Sequence, residues 1–511
     1  MNKESEKERI RGREKIKKPM SKGNKAVLYT AICLAGILIA YTLFSLTYHV
    51  VYAVKLPSTI NNDSGYVVAQ GKGLYDKNGK ALLLQGTNAG NWLIWEGWLG
   101  VTSIGHSGGD NGNISYDELP MAFALDALNK NKNLTESDAD IKALRNMLSQ
   151  NPQKYWWYED NCSAQDLLLD WYYSNWWQEE DFVNIKNLGL NCIRLPFYYR
   201  TIMEGDDSNL TVKENAFKWI DWFVQNCAKN GLYCILDCHG AVGSQNAYEH
   251  SGDNTQCTLW DNETYIEATI TMWEAVARHY YVEEKELGAW IAAYDLLNEP
   301  MGSYNHADLT GKKQWDVFDR IIKAIREIDG EHCISVEGCW GHVNLPNPDS
   351  YGWTNVLYQQ HWYNWISNIV SFDTFFFFKD YFLPFANYDC PLLIGEFNFF
   401  DEEENWKTGL EFFEKRGYSW TTWTYKAVVV GGWRTSWSLY TLQMNANEQT
   451  DCKADLKTAS AEKLITYFGA LSTASPGYNE DWFTLKNIPS LGWTATESNT
   501  YEFLTNWLSG E

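Results

Sequence analysis

The chain has 511 residues, 45% of them hydrophobic and 15% aromatic, enough for one large domain with insertions or for several average ones. A formal net charge of −23 argues against nucleic acid as a partner, because phosphate binding needs a basic surface. The 26 tryptophans fit two uses: a carbohydrate cleft in which sugar faces stack on rings, or an aromatic-rich core.

Residues 1–25 hold ten Lys or Arg against four Glu, and residues 26–54 hold no Asp, Glu, Lys or Arg. A bilayer-spanning helix needs roughly 20 apolar residues, whereas a secretory signal core has about 7–15. Because the basic flank comes first, residues 1–25 are expected in the cytoplasm and the body outside it. The expectation is a single-pass membrane anchor over 26–54. The alternative is a cleaved signal, with Val51-Tyr52-Ala53 as an imperfect cleavage site. Cys192, Cys234 and Cys238, three of the eleven cysteines, lie in apolar strand-like runs where free Cys acts as a small hydrophobe.

Residues 55–65 read as a linker, and 66–80, with Asp76-Lys77-Asn78-Gly79, as a capping hairpin. Residues 81–86 form an apolar strand. A long insertion, 97–164, follows, with a Gly-rich loop (105–112) and helices near 117–130 and 135–149. The pattern then alternates: helix 171–188, strand 192–196, helix 213–229, strand 234–239, helix 262–280. A strand over 289–294 runs into Asn298-Glu299, and Pro300 bars its continuation. Helix 312–328, strands 332–337 and 356–361, helix 368–387, strand 392–396, helix 403–415 and strand 418–423 complete the series. The helix that pairs with the last strand falls near 497–508, and 427–490 follows no recognisable pattern.

Eight short buried strands alternating with helices imply an α/β fold with a parallel sheet. The repeat number predicts a closed (β/α)8 TIM barrel within 66–511; an open doubly wound sheet is the competitor. No Gly-x-Gly-x-x-Gly follows the first strand and no P-loop is present, so no nucleotide site is expected.

In a barrel the strand ends converge on one face. Here they carry Arg194, His239, Asn298 with Glu299, Glu337, His361 with Tyr363, Glu396 and Trp423. Two carboxylates facing one cavity suit glycosidic bond cleavage. One must be protonated to donate to the leaving oxygen, and the other ionised to attack or to activate water. Arg194 and Tyr363 favour an ionised Glu396 as nucleophile. Glu299 is then the acid, its carboxyl raised by the Glu396 charge, although charge alone leaves the roles exchangeable. Zinc on Asp237-Cys238-His239 and His361 is the rival use; without HExxH or a His cluster, neither metal nor cofactor is expected.

At this point the motifs resemble glycoside hydrolase family 5, the retaining β-glycanases with two catalytic glutamates. The resemblance runs from about Lys80 to Trp437. Asn298-Glu299-Pro300 is similar to the acid/base strand, Gly395-Glu396-Phe397 to the nucleophile strand, Ile193-Arg194-Leu195-Pro196 to the strand carrying the arginine, and His361-Trp362-Tyr363 to the sixth strand. The resemblance implies that Trp423 is the sugar platform of the −1 subsite. Two stretches, 91–98 and 236–246, look most like exo-β-1,3-glucanases. By that likeness Glu96 binds sugar hydroxyls and His239 lines the site. The chain departs from that group in its 97–164 insertion and in Tyr425, where Trp is usual. The expectation is a β-glucan hydrolase of the glucan β-1,3-glucosidase type. An endo-β-1,4-glucanase or mannanase is the enzyme alternative, and a catalytically inactive sugar-binding protein on a membrane stalk the alternative from another class.

Overall fold

The structure is a computed structural model describing residues 55–103, 120–301, 311–338, 345–363, 388–430, 435–444 and 454–510. The expected membrane span (26–54), Gly-rich loop (105–112) and helix 368–387 lie outside the described residues. The localisation expected from the sequence is corrected: among the described residues no helix is long and apolar enough to cross a membrane.

Eight parallel strands close into a barrel. They are β1 (Gln85–Asn88), β2 (Cys192–Tyr198), β3 (Tyr233–Gly240), β4 (Ile291–Asp295), β5 (Ile334–Glu337), β6 (Val356–Tyr363), β7 (Leu392–Asn398) and β8 (Ser419–Thr422). β8 pairs with β1, Trp420 opposite Gln85 and Thr422 opposite Thr87, which closes the ring. The open sheet is thereby excluded. Nearly every residue of these strands is buried, as parallel strands covered on both faces require. Helices such as Lys218–Asn230, Glu263–Arg278 and Lys312–Ile328 form the outer layer. The last of these has the bounds expected from its apolar period.

The sequence-predicted strand 81–86 is two strands. Ala81–Leu82 joins Val68–Gln70 and Gly73–Tyr75 in a three-stranded antiparallel sheet, while β1 starts at Gln85. The Asn191 side chain holds the break: Nδ2 donates to Leu83 O at 2.8 Å and Oδ1 accepts from Gln85 N–H at 2.8 Å. Val67 and Leu74 from this cap pack with Leu84, Cys192, Ile235, Ala292, Leu357 and Leu393, residues at or near the starts of the barrel strands. The hairpin therefore plugs the amino-terminal mouth and leaves the carboxyl-terminal mouth for chemistry.

The sequence-predicted helix 171–188 is likewise two helices, Ala164–Trp176 and Glu179–Asn187. Asp181 accepts the Gln178 backbone N–H at 2.9 Å, a capping box that starts a new helix. A hairpin, Met203–Asp206 with Asn209–Val212, was not legible in the sequence.

The insertion packs against the unpatterned tail. Thr102–Ser103 pairs with Ala454–Asp455, and Asn131 Nδ2 donates to Leu456 O and Ala459 O, each at 2.9 Å; from the following helix, Trp171 Nε1 donates to Ile465 O at 2.8 Å. Many tryptophans serve packing: Trp92, Trp95, Trp171, Trp176, Trp177, Trp273, Trp362, Trp406, Trp420 and Trp482 are fully buried. Among the described residues every cysteine is a free thiol.

Barrel closure yields a test at Gly86. A Cβ there would stand 2.1 Å from the backbone oxygen of Cys192 on β2, which cannot give way like a side chain. Gly86→Ala is expected to destabilise by about 1–3 kcal/mol, as overpacked cores do. An unchanged thermal midpoint would contradict the β1–β2 contact.

Candidate active site

The carboxyl-terminal mouth is built around Arg194, fully buried on β2. Its Nε donates to Asp295 Oδ2 at 2.8 Å, and one terminal nitrogen to Asn88 Oδ1 and Glu396 Oε1, each at 3.1 Å. The other donates to Asn298 Oδ1 at 2.8 Å and lies 3.0 Å from Asp237 Oδ2. Burial opposes the charge, but Asp237, Asp295, Glu396 and Glu337 outweigh it and raise the guanidinium further. Asp237 also lies 2.6 Å from His239 Nδ1. Burial holds that imidazole well below its ordinary value, so His239 is neutral. The Trp423 ring lies parallel to it, centroids 5.4 Å apart.

Glu396, on β7 opposite His361 in register, receives Arg194 on one oxygen and the Tyr363 hydroxyl on the other, at 2.9 Å. Burial, then Glu396 itself, keep the Tyr363 phenol well above its ordinary value, so it stays a donor.

Glu299 enters from the loop after β4. Its backbone is left-handed, with φ of 42°, a state that costs a non-glycine residue of order 1–3 kcal/mol and needs support. Its N–H donates to Glu337 Oε2 at 2.8 Å. His361 Nδ1 lies 2.8 Å from Glu299 Oε1, and His250 Nε2 lies 3.0 Å from Oε2. His361 also approaches Glu337 Oε1 at 3.3 Å and Glu396 Oε2 at 3.4 Å, so it bridges the two glutamates.

The electrostatics correct one expectation. The sequence predicts a Glu299 carboxyl raised by Glu396. Burial does raise it, but His250 and His361 outweigh burial and hold it well below its ordinary value. Both histidines are pushed up to about 9: burial opposes this, while Glu299 leads the upward causes at His250 and Glu337 and Glu396 lead them at His361. Burial raises Glu337 to about 8, and burial with Glu249 raises Glu96 to about 8.

Glu96 reaches the site from the loop after β1, its Oε2 accepting from Trp98 Nε1 at 2.7 Å. Trp98 packs edge-on against Trp437 at 5.2 Å, and Trp437 lies 5.7 Å from the Tyr363 ring. The mouth thus brings together all nine residues selected from the sequence: Glu96, Arg194, His239, Asn298, Glu299, His361, Tyr363, Glu396 and Trp423. It adds His250, Asn88 and Asp295. Asp295 sits three residues before Asn298 and was legible as a strand-end carboxylate; His250 lies in a loop without periodicity and carries no sequence signal.

Glu299, His361 and Glu396 offer ligand atoms within 4.8 Å of one another. The Arg194 guanidinium at 3.1 Å from Glu396 already supplies the counter-charge a cation would provide, so this set suits a metal poorly.

The family model "Cellulase (glycosyl hydrolase family 5)" matches residues 152–428. A β-xylosidase of Phanerodontia chrysosporium is 28% identical over 305 residues, 58% of this chain and 52% of that protein. A glucan 1,3-beta-glucosidase of Pichia angusta is 36% identical over 139 residues, 27% of this chain and 30% of that protein. The chain spans about half the length, or less, of these curated relatives. A crystal structure of rutinosidase from Aspergillus niger aligns with a TM-score of 0.45 at 14% identity, over 68% of this chain and 90% of that one.

The four raised groups predict how stability depends on pH. His250 and His361 at about 9, against an ordinary 6.5, contribute stability that is complete below pH 6.5 and lost as pH rises through about 9. Glu96 and Glu337 at about 8, against 4.5, act in the same direction, from below pH 4.5 up through about 8. The thermal midpoint is therefore expected to fall as pH is raised from 6.5 to 9; a rising midpoint would contradict these assignments.

Proposed function

We propose a reaction for this chain, which belongs to glycosyl hydrolase family 5, the cellulase family: hydrolysis of β-glucosidic bonds in glucans with net retention of configuration. The observation that carries the reading is the spacing of the two glutamates, whose nearest ligand oxygens lie within 4.8 Å of each other. Retaining glycosidases hold their carboxyls about 5–5.5 Å apart, while inverting ones need roughly 6.5–9.5 Å to admit a water.

In this reading Glu396 attacks the anomeric carbon as Glu299 protonates the departing oxygen. The glycosyl–Glu396 ester is then cleaved by a water whose proton returns to Glu299. Arg194 and Tyr363 hold Glu396 in place, one on each oxygen, and Asn298 stands beside it on the same guanidinium. Glu96, His239 and Trp423 line the sugar pocket, polar at one side and aromatic at the other. Residues 66–511 form the catalytic domain, with 97–164 as its insertion. The glucan 1,3-beta-glucosidase of Pichia angusta and the sequence stretches 91–98 and 236–246 support a β-1,3-glucan substrate.

Two measurements test this. NMR of products released from an aryl β-glucoside is expected to show the β-anomer first; α-anomer first would reject retention. Glu396→Ala is expected to lose on the order of 10⁴–10⁶-fold in kcat, the scale of losing a nucleophile. Binding of β-1,3-glucan without any cleavage by the unaltered protein would favour a sugar-binding protein instead.

A further inference from the structure

His250 contacts the carboxylate that the proposed reaction uses as its acid, on the oxygen His361 leaves free. It belongs to the loop after β3, in the short turn Glu249–Ser251. That loop is fixed. Ser251 and Ser244 hydroxyls lie 2.7 Å apart in the interior, and Gly252 packs where a Cβ would stand 2.4 Å from the Tyr198 ring. The Tyr248 ring lies nearly parallel to the imidazole, centroids 5.5 Å apart.

A second group addresses the same nitrogen. Asn246 Nδ2 lies 2.9 Å from His250 Nε2. Its amide orientation is set independently: Oδ1 accepts from Tyr248 N–H at 2.8 Å, and Nδ2 donates to the Glu299 carbonyl at 3.1 Å. An amide N–H aimed at Nε2 favours a lone pair there, and so favours the proton on Glu299. The surrounding charge acts the other way. Glu299 from the β4 end, Glu96 from the loop after β1 and Glu396 from β7 favour imidazolium, against burial. Glu249 neighbours it on the same turn, and the neutral His239 ring is 6.0 Å away.

We propose that His250 is a positioning residue for the acid/base carboxylate, holding Glu299 Oε2 and sharing with it the one proton delivered to the glycosidic oxygen. The inference rests on the reading of Glu299 as that acid. In the first step the shared proton leaves through Glu299 with the aglycone. In the second, the attacking water forms its bond to the anomeric carbon, the ester to Glu396 breaks, and the water proton refills the pair. No other reactant is needed.

The experiment compares kcat/KM on phenyl β-glucoside, whose leaving group needs a proton, and on 2,4-dinitrophenyl β-glucoside, whose leaving group does not. His250→Gln retains a hydrogen-bonding side chain but carries no titratable proton. It is expected to lose at least about tenfold more on the phenyl than on the dinitrophenyl substrate, a share of the roughly 10²–10⁴-fold that general acid catalysis supplies. The alkaline limb of its phenyl-glucoside profile is expected at lower pH than in the unaltered protein, because one of the two imidazoles that hold the proton beside Glu299 is then gone. Equal losses on both substrates, or none on either, would overturn the proposal, the first because it marks a merely structural role. Glu299→Ala is run in parallel. Leaving-group contrast there but not in His250→Gln removes the role of His250 alone; its absence in Glu299→Ala removes the acid assignment, and the proposal with it.

Discussion

A guanidinium with no access to water organises this protein. Arg194 lies inside the barrel, where an uncompensated charge costs several kcal/mol. Its planar fork is met by carboxylates from β3, β4 and β7 and by amides from β1 and the loop after β4. Lysine could not replace it, because a single ammonium cannot reach acceptors fanned across five positions. The consequence is that Glu396 is both a counter-charge the fold needs and a carboxylate aimed into the cavity. Barrel closure and the placement of the proposed nucleophile depend on one electrostatic arrangement.

The two glutamates differ in the kind of partner each receives. Glu396 is held by a guanidinium, which does not release its proton, and by a phenol kept protonated by burial. Glu299 is held by two imidazoles, which can. The first environment fixes the position of the carboxylate, and the second places protonatable groups beside it. That asymmetry supports the assignment of nucleophile and acid better than any raised carboxyl would. It replaces the expectation that repulsion between the glutamates keeps Glu299 protonated. His361 is in contact with both and with Glu337.

The aromatic content follows a similar division. Many tryptophans, among them Trp92, Trp171, Trp176, Trp177 and Trp482, are buried in the hydrophobic core. Trp423 against His239, and Trp98 with Trp437 beside Tyr363, form its apolar walls. Composition could not separate the two uses, since a ring stacked on a sugar and a ring stacked on another ring add the same count.

The eight apolar runs, their alternation with helices and the polar residue at each strand end were open to reading in the linear chain, because burial on both faces leaves a local mark and proline or a polar residue closes each run. On that basis Arg194, Asn298, Glu299, His361, Tyr363 and Glu396 could be selected in advance. The split of 81–86 at Asn191, the capping box that divides 171–188 and the pairing of the insertion with residues 454–455 could not. Each depends on a partner tens to hundreds of positions away, and a periodicity carries no record of such a partner. For the same reason the direction of the Glu299 shift was decided only in three dimensions. Local pattern determines which residues stand at the barrel mouth, but a proton's affinity depends on distance, and folding alone set His250 within 3.0 Å of that carboxylate.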